Sequence, residues 1–107
     1  LYISPEQAAR AETDGRTDMY SVGVILMEMV AGLLPVRSES PADMMQRKKT
    51  DPDSFFTSRP SEVNPAVDRE LESIIGTATA SLPANRFADC LEFKVELETY
   101  IRTRSLA

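Results

Sequence analysis

The stretch DMYSVGVILMEMVAG, residues 18–32, decides the fold of this chain. Ten of the fourteen residues from 18 to 31 are apolar, and only Asp18 and Glu28 carry a charge. A helix on a protein surface has one apolar stripe, whereas a helix that is apolar all round is buried by its neighbours. We therefore expect a central apolar helix that the other helices surround.

Local signals on both sides of this stretch predict where the helix begins and ends. Thr17 is a good N-cap, Gly32 suits the C-terminal cap, and Pro35 blocks any continuation. The apolar run contains Glu28 and falls short of the ~20 residues that cross a bilayer. These features favour a helix in a protein core, and we expect no membrane span.

Helical periodicity dominates the rest of the chain, and strand alternation is hard to find. The sequence predicts an all-α fold of five helices without a sheet, and it predicts a Pro/Ser/Asp loop over residues 50–64. The other four helices are expected at residues 4–10, at residues 40–49, from near Asn64–Pro65 or a few residues later, and at about residues 88–102.

Apolar side chains are expected to pack along the helix at residues 40–49, which is the third in the chain, and along the last helix. The last helix has a broad apolar sector, formed by Leu91, Phe93, Val95, Leu97, Tyr100 and Ile101. In the third helix, Met44 and Met45 favour ordinary packing, with contact to a partner as the alternative, because methionine is an adaptable contact residue.

The composition excludes several classes of function. A formal charge of −5 argues against a nucleic-acid-binding surface, which needs a basic patch. The absence of His excludes Ser-His, Cys-His and His-metal chemistry within the chain, and we expect no metal site. Cys90 is the only cysteine, so no intrachain disulfide is possible. We expect a buried thiol in a reducing cytoplasm, since no signal peptide is visible.

Four segments in this order resemble the C-terminal lobe of a eukaryotic-like serine/threonine protein kinase. They are YISPEQA at residues 2–8, TDMYSVGVILMEMVAGLLPV at 17–36, SRPSEVNPAVDRELESII at 58–75 and LPANRF at 82–87. The third segment is similar to the bacterial branch of that family. The resemblance covers nearly all of residues 1–107 and identifies a partial kinase domain that starts at the Ala-Pro-Glu-type motif.

The resemblance implies an ion pair between the two ends of the chain. Ser4-Pro5-Glu6 is similar to the Ala-Pro-Glu motif of the family, with Ser in place of Ala. Glu6 would then pair with Arg86, whose planar guanidinium can hold a carboxylate with two hydrogen bonds. Judged by residue type alone, both groups would be solvated surface charges.

Three positions of the central helix also take their roles from the resemblance. Asp18 matches the residue that anchors the catalytic loop, a loop that this chain does not contain. At Asp18, a favourable charge at the helix start is the alternative. Gly23 is expected to allow a close helix crossing. Glu28 matches an acidic position that in some relatives bonds a tyrosine of the substrate loop.

Tyr2, Ile3 and Ser4 resemble the loop that receives the substrate residue following the phosphoacceptor. Tyr2 is our candidate partner for Glu28, because a lone Glu needs a partner if it is buried in an apolar helix. Exposure of Glu28 at the end of the helix is the alternative.

The chain lacks the groups that perform phosphoryl transfer. That reaction needs a Gly-rich loop, a strand Lys, a catalytic-loop Asp and Asn, and a metal-binding Asp-Phe-Gly. The four glycines are scattered, and neither Gly-x-Gly-x-x-Gly nor His-Arg-Asp occurs. We therefore expect no catalytic residue in this chain, and neither ATP binding nor phosphate transfer by it alone. Whether it is an enzyme stays open; ATP and Mg²⁺ would serve the full-length parent.

Two functions are compatible with these features. The first is a fragment of a serine/threonine kinase whose parent phosphorylates protein substrates; the second is a non-catalytic docking module on a kinase-lobe scaffold. In the family, a long helix from the missing segment lies against the central helix, so one side of residues 18–31 should face water. We expect the rest of the kinase, or a second copy of the chain, to cover that side.

Overall fold

The computed structural model describes residues 2–11, 14–37 and 39–105, and within these ranges the fold is all-α. The six α-helices are α1 (Pro5–Ala8), α2 (Gly15–Ala31), α3 (Pro41–Thr50), α4 (Pro60–Val63), α5 (Arg69–Ala78) and α6 (Cys90–Ser105). Two short 3₁₀ turns lie at Pro52–Ser54 and Pro83–Asn85, and a single antiparallel bridge joins Val36 to Phe56. Among the described helices, none has both the length and the apolar content needed to cross a membrane.

The count of five helices was wrong by one, because the segment predicted as a loop contains α4. Pro60 occupies the first helical position, which its fixed φ and missing N–H suit. The Glu62 carboxylate accepts a hydrogen bond of 3.1 Å from the backbone N–H of Arg59. A reciprocal bond of this kind stabilises a first helical turn, even in a helix of four residues.

The start of α2 also differs from the prediction. Asp14 caps this helix by accepting a 2.9 Å hydrogen bond from the backbone N–H of Arg16, so the helix begins at Gly15. Thr17, the predicted cap, lies in the first turn of the helix, where its hydroxyl accepts from the Asp14 backbone N–H at 3.4 Å and donates to the buried Glu6 carboxylate. The end is as predicted: Gly32 has φ 85°, a conformation that glycine adopts without strain.

Helix α2 is central, and α4, α5 and α6 pack against it. The buried hydrophobic side chains of α2 and α5 are Met19, Tyr20, Val24, Met27, Ile74, Ile75 and Ala78. Gly23 lies at the crossing of these two helices. A Cβ there would be 2.8 Å from Thr79 Cγ2 and 3.0 Å from Ala78 Cβ, so only glycine allows this separation.

The side of α2 turned away from these helices is open. Val22 and Ile25 are exposed, and Met29 is 74% exposed. Burial is therefore complete on one side of the apolar helix only, and the other side faces solvent.

Two expectations for α6 were wrong. Phe93 is buried and Leu97 and Tyr100 pack against the core, but Leu91, Val95 and Ile101 are exposed. The three packed residues follow each other at spacings of four and three, so they share one helix face, and only that face meets α2 and α5. Cys90 is exposed, with its thiol 3.4 Å from the Gly15 carbonyl oxygen, because it begins α6 at the edge of the core.

Candidate functional site

Glu6 and Arg86 are brought together from positions 80 residues apart. Arg86 Nη1 donates to Glu6 Oε2 at 2.6 Å, and Nη2 donates to Oε1 at 2.9 Å. The Arg86 side chain is 0% exposed and the Glu6 side chain 8%. The contact is the two-pronged ion pair that the resemblance implies, and it is sealed from solvent.

Neighbouring groups complete the hydrogen bonding of this pair. The Thr17 hydroxyl donates to Glu6 Oε2 at 2.8 Å, while Arg86 Nε and Nη1 donate to the carbonyl oxygens of Ala80 and Arg16. Burial alone would raise the pKa of Glu6, but the hydrogen bonds from Arg86, the backbone and Thr17 hold that pKa below its ordinary value. Such a network joins α1, α2 and the turn before α6 into one rigid unit, which we call the clamp.

Tyr2 is anchored to α2 at two points. Its hydroxyl donates to Glu28 Oε1 at 2.6 Å, and its carbonyl oxygen accepts a 2.8 Å bond from the Ser21 hydroxyl. The hydrogen bond to Glu28, together with burial and the carboxylate charge, raises the pKa of Tyr2. The structure thus brings together the tyrosine and the glutamate that the sequence pairs, and it adds Ser21, which sequence reasoning missed.

Ser4 links residues 2–4 to the first helix; we call these residues the substrate loop after the kinase loop that they resemble. It is fully buried and caps α1: its hydroxyl accepts from the Gln7 backbone N–H at 3.2 Å, and its own N–H donates to Gln7 Oε1 at 2.9 Å. The predicted loop residue is therefore also a structural cap, which fixes the direction in which the loop enters the clamp.

Lys48 of α3 is a buried cation that the sequence analysis did not single out. Lys48 is 1% exposed, and its ammonium donates to the carbonyl oxygen of Ile3 in the substrate loop. Nζ lies 4.5 Å from the ring centre of Phe55 and 5.2 Å from that of Tyr20. Burial lowers the pKa of Lys48 to about 8. Its spacing of four and three residues from Met44 and Met45, on one helix face, is the signal that could have found it.

A cavity of about 400 Å³ lies between the substrate loop and α3. Its lining consists of Ile3, Pro41, Met44, Met45 and Lys48. Its volume falls in the range of ligand pockets in proteins, roughly 300–1,000 Å³. The flexible methionine side chains can adapt to apolar groups of different shapes, so the cavity is suited to an apolar side chain.

Asp18 lies on another part of the molecule. It is exposed in the first turn of α2, where a carboxylate interacts favourably with the helix dipole. It borders a groove of about 310 Å³ between α2 and α6, whose apolar lining includes Met19, Val22, Phe93, Leu97 and Ile101. Its role as an anchor of the catalytic loop stays a prediction.

Comparison with known proteins places this geometry in context. No protein-family model matches the chain. The chain is 37% identical over 105 residues to the serine/threonine-protein kinase pkn3 of Myxococcus xanthus, a match that covers 96% of this chain and 18% of that protein. A probable serine/threonine-protein kinase of Corynebacterium efficiens is 32% identical over 105 residues, covering 94% of this chain and 15% of the relative.

The serine/threonine-protein kinase PknL of Mycobacterium tuberculosis is 35% identical over 97 residues, covering 91% of this chain and 23% of the relative. The chain thus spans less than a quarter of the length of these three kinases. Nearly all of this chain is homologous to bacterial serine/threonine protein kinases, and it matches a fragment of the C-terminal kinase lobe.

Proposed function

We propose that this chain forms the substrate-side part of a serine/threonine kinase whose full-length parent transfers the γ-phosphate of ATP to Ser or Thr hydroxyls of protein substrates. The observation that supports this most directly is the clamp. Glu6 lies in the Ala-Pro-Glu-type segment and Arg86 in the LPANR turn, and the two form a buried bidentate pair. Two motifs that are distant in sequence thus meet as one contact.

In this function, the substrate loop receives the residue next to the phosphoacceptor. Each residue of this loop is held by a hydrogen bond to a helix. Tyr2 bonds to α2 through its hydroxyl and its carbonyl oxygen, the Ile3 carbonyl oxygen accepts from α3, and the Ser4 hydroxyl accepts from α1. A loop fixed at three successive residues loses little conformational entropy when a peptide binds, which favours binding. Asp18 would anchor a catalytic loop that lies outside this chain.

The chemistry of transfer is assigned to residues outside this chain. Within the described ranges, no group of three or more His, Cys, Asp or Glu side chains is placed to hold a metal ion. The sequence also has no Gly-rich phosphate loop. We therefore assign ATP and Mg²⁺ to the rest of the parent and propose that the chain alone is inactive. Its place of action would be the cytoplasm.

The test compares the isolated chain with the full-length protein that contains it. We expect the full-length protein to transfer phosphate from ATP to a generic Ser/Thr protein substrate, and the isolated chain to show neither transfer nor ATP binding by calorimetry. Micromolar, Mg²⁺-dependent ATP binding to the isolated chain would contradict the assignment of ATP binding to the rest of the parent. A full-length protein without any transfer activity would contradict the kinase function.

A second candidate, a non-catalytic docking module, is supported by the open side of α2. Val22, Ile25 and Met29 leave apolar surface uncovered beside the groove along α6. Exposed apolar area of this kind marks an interaction site. Its occupant would be the rest of the kinase domain or a second copy of the chain, and analytical ultracentrifugation would distinguish an associating chain from a monomer.

A further inference from the structure

The peptide unit between Ile3 and Ser4 is held at both ends. Its carbonyl oxygen accepts a hydrogen bond from Lys48 Nζ, and its N–H donates to Gln7 Oε1 at 2.9 Å. The first bond ties the substrate loop to α3, and the second ties it to α1. The orientation of this one peptide unit therefore depends on a side chain that lies 45 residues away in the sequence.

Burying the Lys48 ammonium has a cost that packing alone does not explain. Removing a charge from water is unfavourable unless nearby groups compensate for the loss of hydration. The Ile3 carbonyl oxygen and the faces of Phe55 and Tyr20 are among the groups that lie around the ammonium. The next residue, Lys49, is exposed on the same helix, so α3 also presents a lysine to solvent. The burial of the ammonium at position 48, next to an exposed lysine, points to a specific contact with the Ile3 carbonyl oxygen.

The contact borders the cavity between the loop and α3. Ile3 of the loop and Met44 and Met45 of α3 line that cavity. Because Lys48 spans from α3 to the Ile3 carbonyl, it ties the loop residue of this lining to α3. A loop released from Lys48 would be free to move relative to the methionines and to change the shape of the cavity.

We propose that Lys48 is a positioning residue, which fixes the Ile3–Ser4 peptide unit against α3 and so sets the loop geometry on which binding of the protein substrate depends. This inference rests on the proposed function of the substrate loop. Lys48 acts through Ile3 and does not contact the reacting atoms.

The first test uses the isolated chain and the exchange of the Ser4 amide hydrogen with solvent. We expect Lys48→Met, which keeps the apolar stem and removes the ammonium, to speed Ser4 exchange at least about tenfold, because a hydrogen bond from a charged group is lost. Lys49→Met is the matched control and should leave Ser4 unchanged. The Gly32 amide, bonded to the Glu28 carbonyl at 2.9 Å, reports on α2 and should not change in either variant.

Unchanged Ser4 exchange in a folded Lys48→Met chain would overturn the proposal. If Lys48→Met does not fold, Lys48→Arg decides, because arginine keeps the charge and the donors. Slow Ser4 exchange in that variant supports a positioning contact, and fast exchange overturns it.

The second test uses the full-length protein and separates substrate binding from the chemical step. We expect Lys48→Met to raise the KM for a protein substrate about tenfold relative to Lys49→Met, with the KM for ATP unchanged, since one charge-assisted hydrogen bond is lost. A fall in kcat alone, or an equal effect on both KM values, would contradict a role in substrate positioning. If the unmodified protein transfers no phosphate, the proposed function fails, while Ser4 exchange still decides the role of Lys48.

Discussion

The clamp and the open side of α2 are two faces of the same molecule with opposite chemistry. At the clamp, a charged pair is buried and its polar atoms are bonded to Thr17 and to backbone carbonyls. On the open side, apolar residues such as Met29 face solvent. The chain thus supplies all the hydrogen-bond partners described for its buried ion pair, yet it leaves apolar surface of α2 exposed to solvent.

This difference follows from how each interaction is satisfied. An ion pair needs specific atoms at about 2.8 Å, so both partners must be held by the same rigid unit. Apolar burial is non-directional and roughly proportional to area, so any surface of suitable shape can supply it. A segment that contains both partners of the clamp but leaves one side of α2 exposed is suited to fold first and then to bind another protein surface on that side.

The largest expected effect comes from breaking the clamp. Arg86→Met leaves the Glu6 carboxylate buried without its partner and should lower the free energy of unfolding by roughly 3–5 kcal/mol. Urea denaturation followed by circular dichroism measures this change. The control is Arg59→Met, which breaks the exposed pair with Glu62 and should have no measurable effect. Equal effects of the two substitutions would contradict a special role for the clamp.

The helix crossing inside the core gives the next effect. Gly23→Ala places a methyl group 2.8 Å from Thr79 Cγ2, and we expect a net loss of up to about 2 kcal/mol after the gain in helix propensity. Gly76→Ala in α5 is the matched control, because no atom other than those of its own chain neighbours and helix backbone lies within 4 Å of its added Cβ. It should gain up to about 1 kcal/mol. A higher stability of both variants in thermal denaturation would show that the helix crossing at Gly23 has room for a Cβ.

The pH dependence of stability tests the buried lysine beside the substrate loop. The folded pKa of Lys48 is about 8, below its ordinary value of 10.5. Between these values Lys48 binds more protons in the unfolded chain than in the folded chain, so its contribution to the free energy of unfolding should rise with pH across this window. Burial raises the pKa of Tyr20, whose ring faces Lys48, and the bond to Glu28 raises that of Tyr2, so these two phenols oppose the rise as the pH nears the ordinary tyrosine value of 10.0.

Urea denaturation at several values between pH 8 and 10 would detect this contribution as a difference in slope between the unaltered chain and Lys48→Met, in which the tyrosine contributions cancel. Lys49→Met should keep the slope of the unaltered chain. Lysine-selective ¹³C labelling gives an independent measurement, because the chain has only three lysines, at positions 48, 49 and 94. Three resonances that titrate together at ordinary values would contradict the burial of Lys48.

The smallest effect on stability is expected on the open side of α2. Met29→Gln replaces a side chain that is 74% exposed, so the free energy of unfolding should change little. If a second copy covers this face, self-association measured by sedimentation should weaken about tenfold, because buried apolar area is lost. Leu82→Gln removes an apolar side chain that is 62% exposed elsewhere and is the control. A chain that stays monomeric at high concentration would exclude self-association on this face.

Prediction from the sequence succeeded at several helix ends, where the signal lies within one turn, although it missed the Asp14 cap of α2 and the four-residue helix α4. Ser40 caps α3 by accepting from the Asp43 backbone N–H at 3.1 Å, and Pro41 begins that helix. The end of α2 at Gly32 is a second example. Caps and stops depend on backbone groups three or four residues away, so they are already determined in a short segment.

Prediction failed where burial depends on elements distant in the chain. Cys90, expected to be buried, is exposed, and so are Leu91 and Ile101 on the apolar sector of α6. Lys48, which the sequence pattern did not single out, is buried. Residue type indicates a preference for burial, but the faces that actually meet are selected by packing.

The amino-acid sequence by itself determined the all-α character, the central apolar helix, most helix ends and the motifs that relate the chain to bacterial serine/threonine kinases. Only the tertiary structure decided which side of α2 is covered, that Ser21 and Lys48 hold the substrate loop, and how the clamp is enclosed. The physical reason is the range of the interactions: helix signals act over a few residues, whereas Lys48 and Ile3, 45 positions apart, meet only after the helices pack.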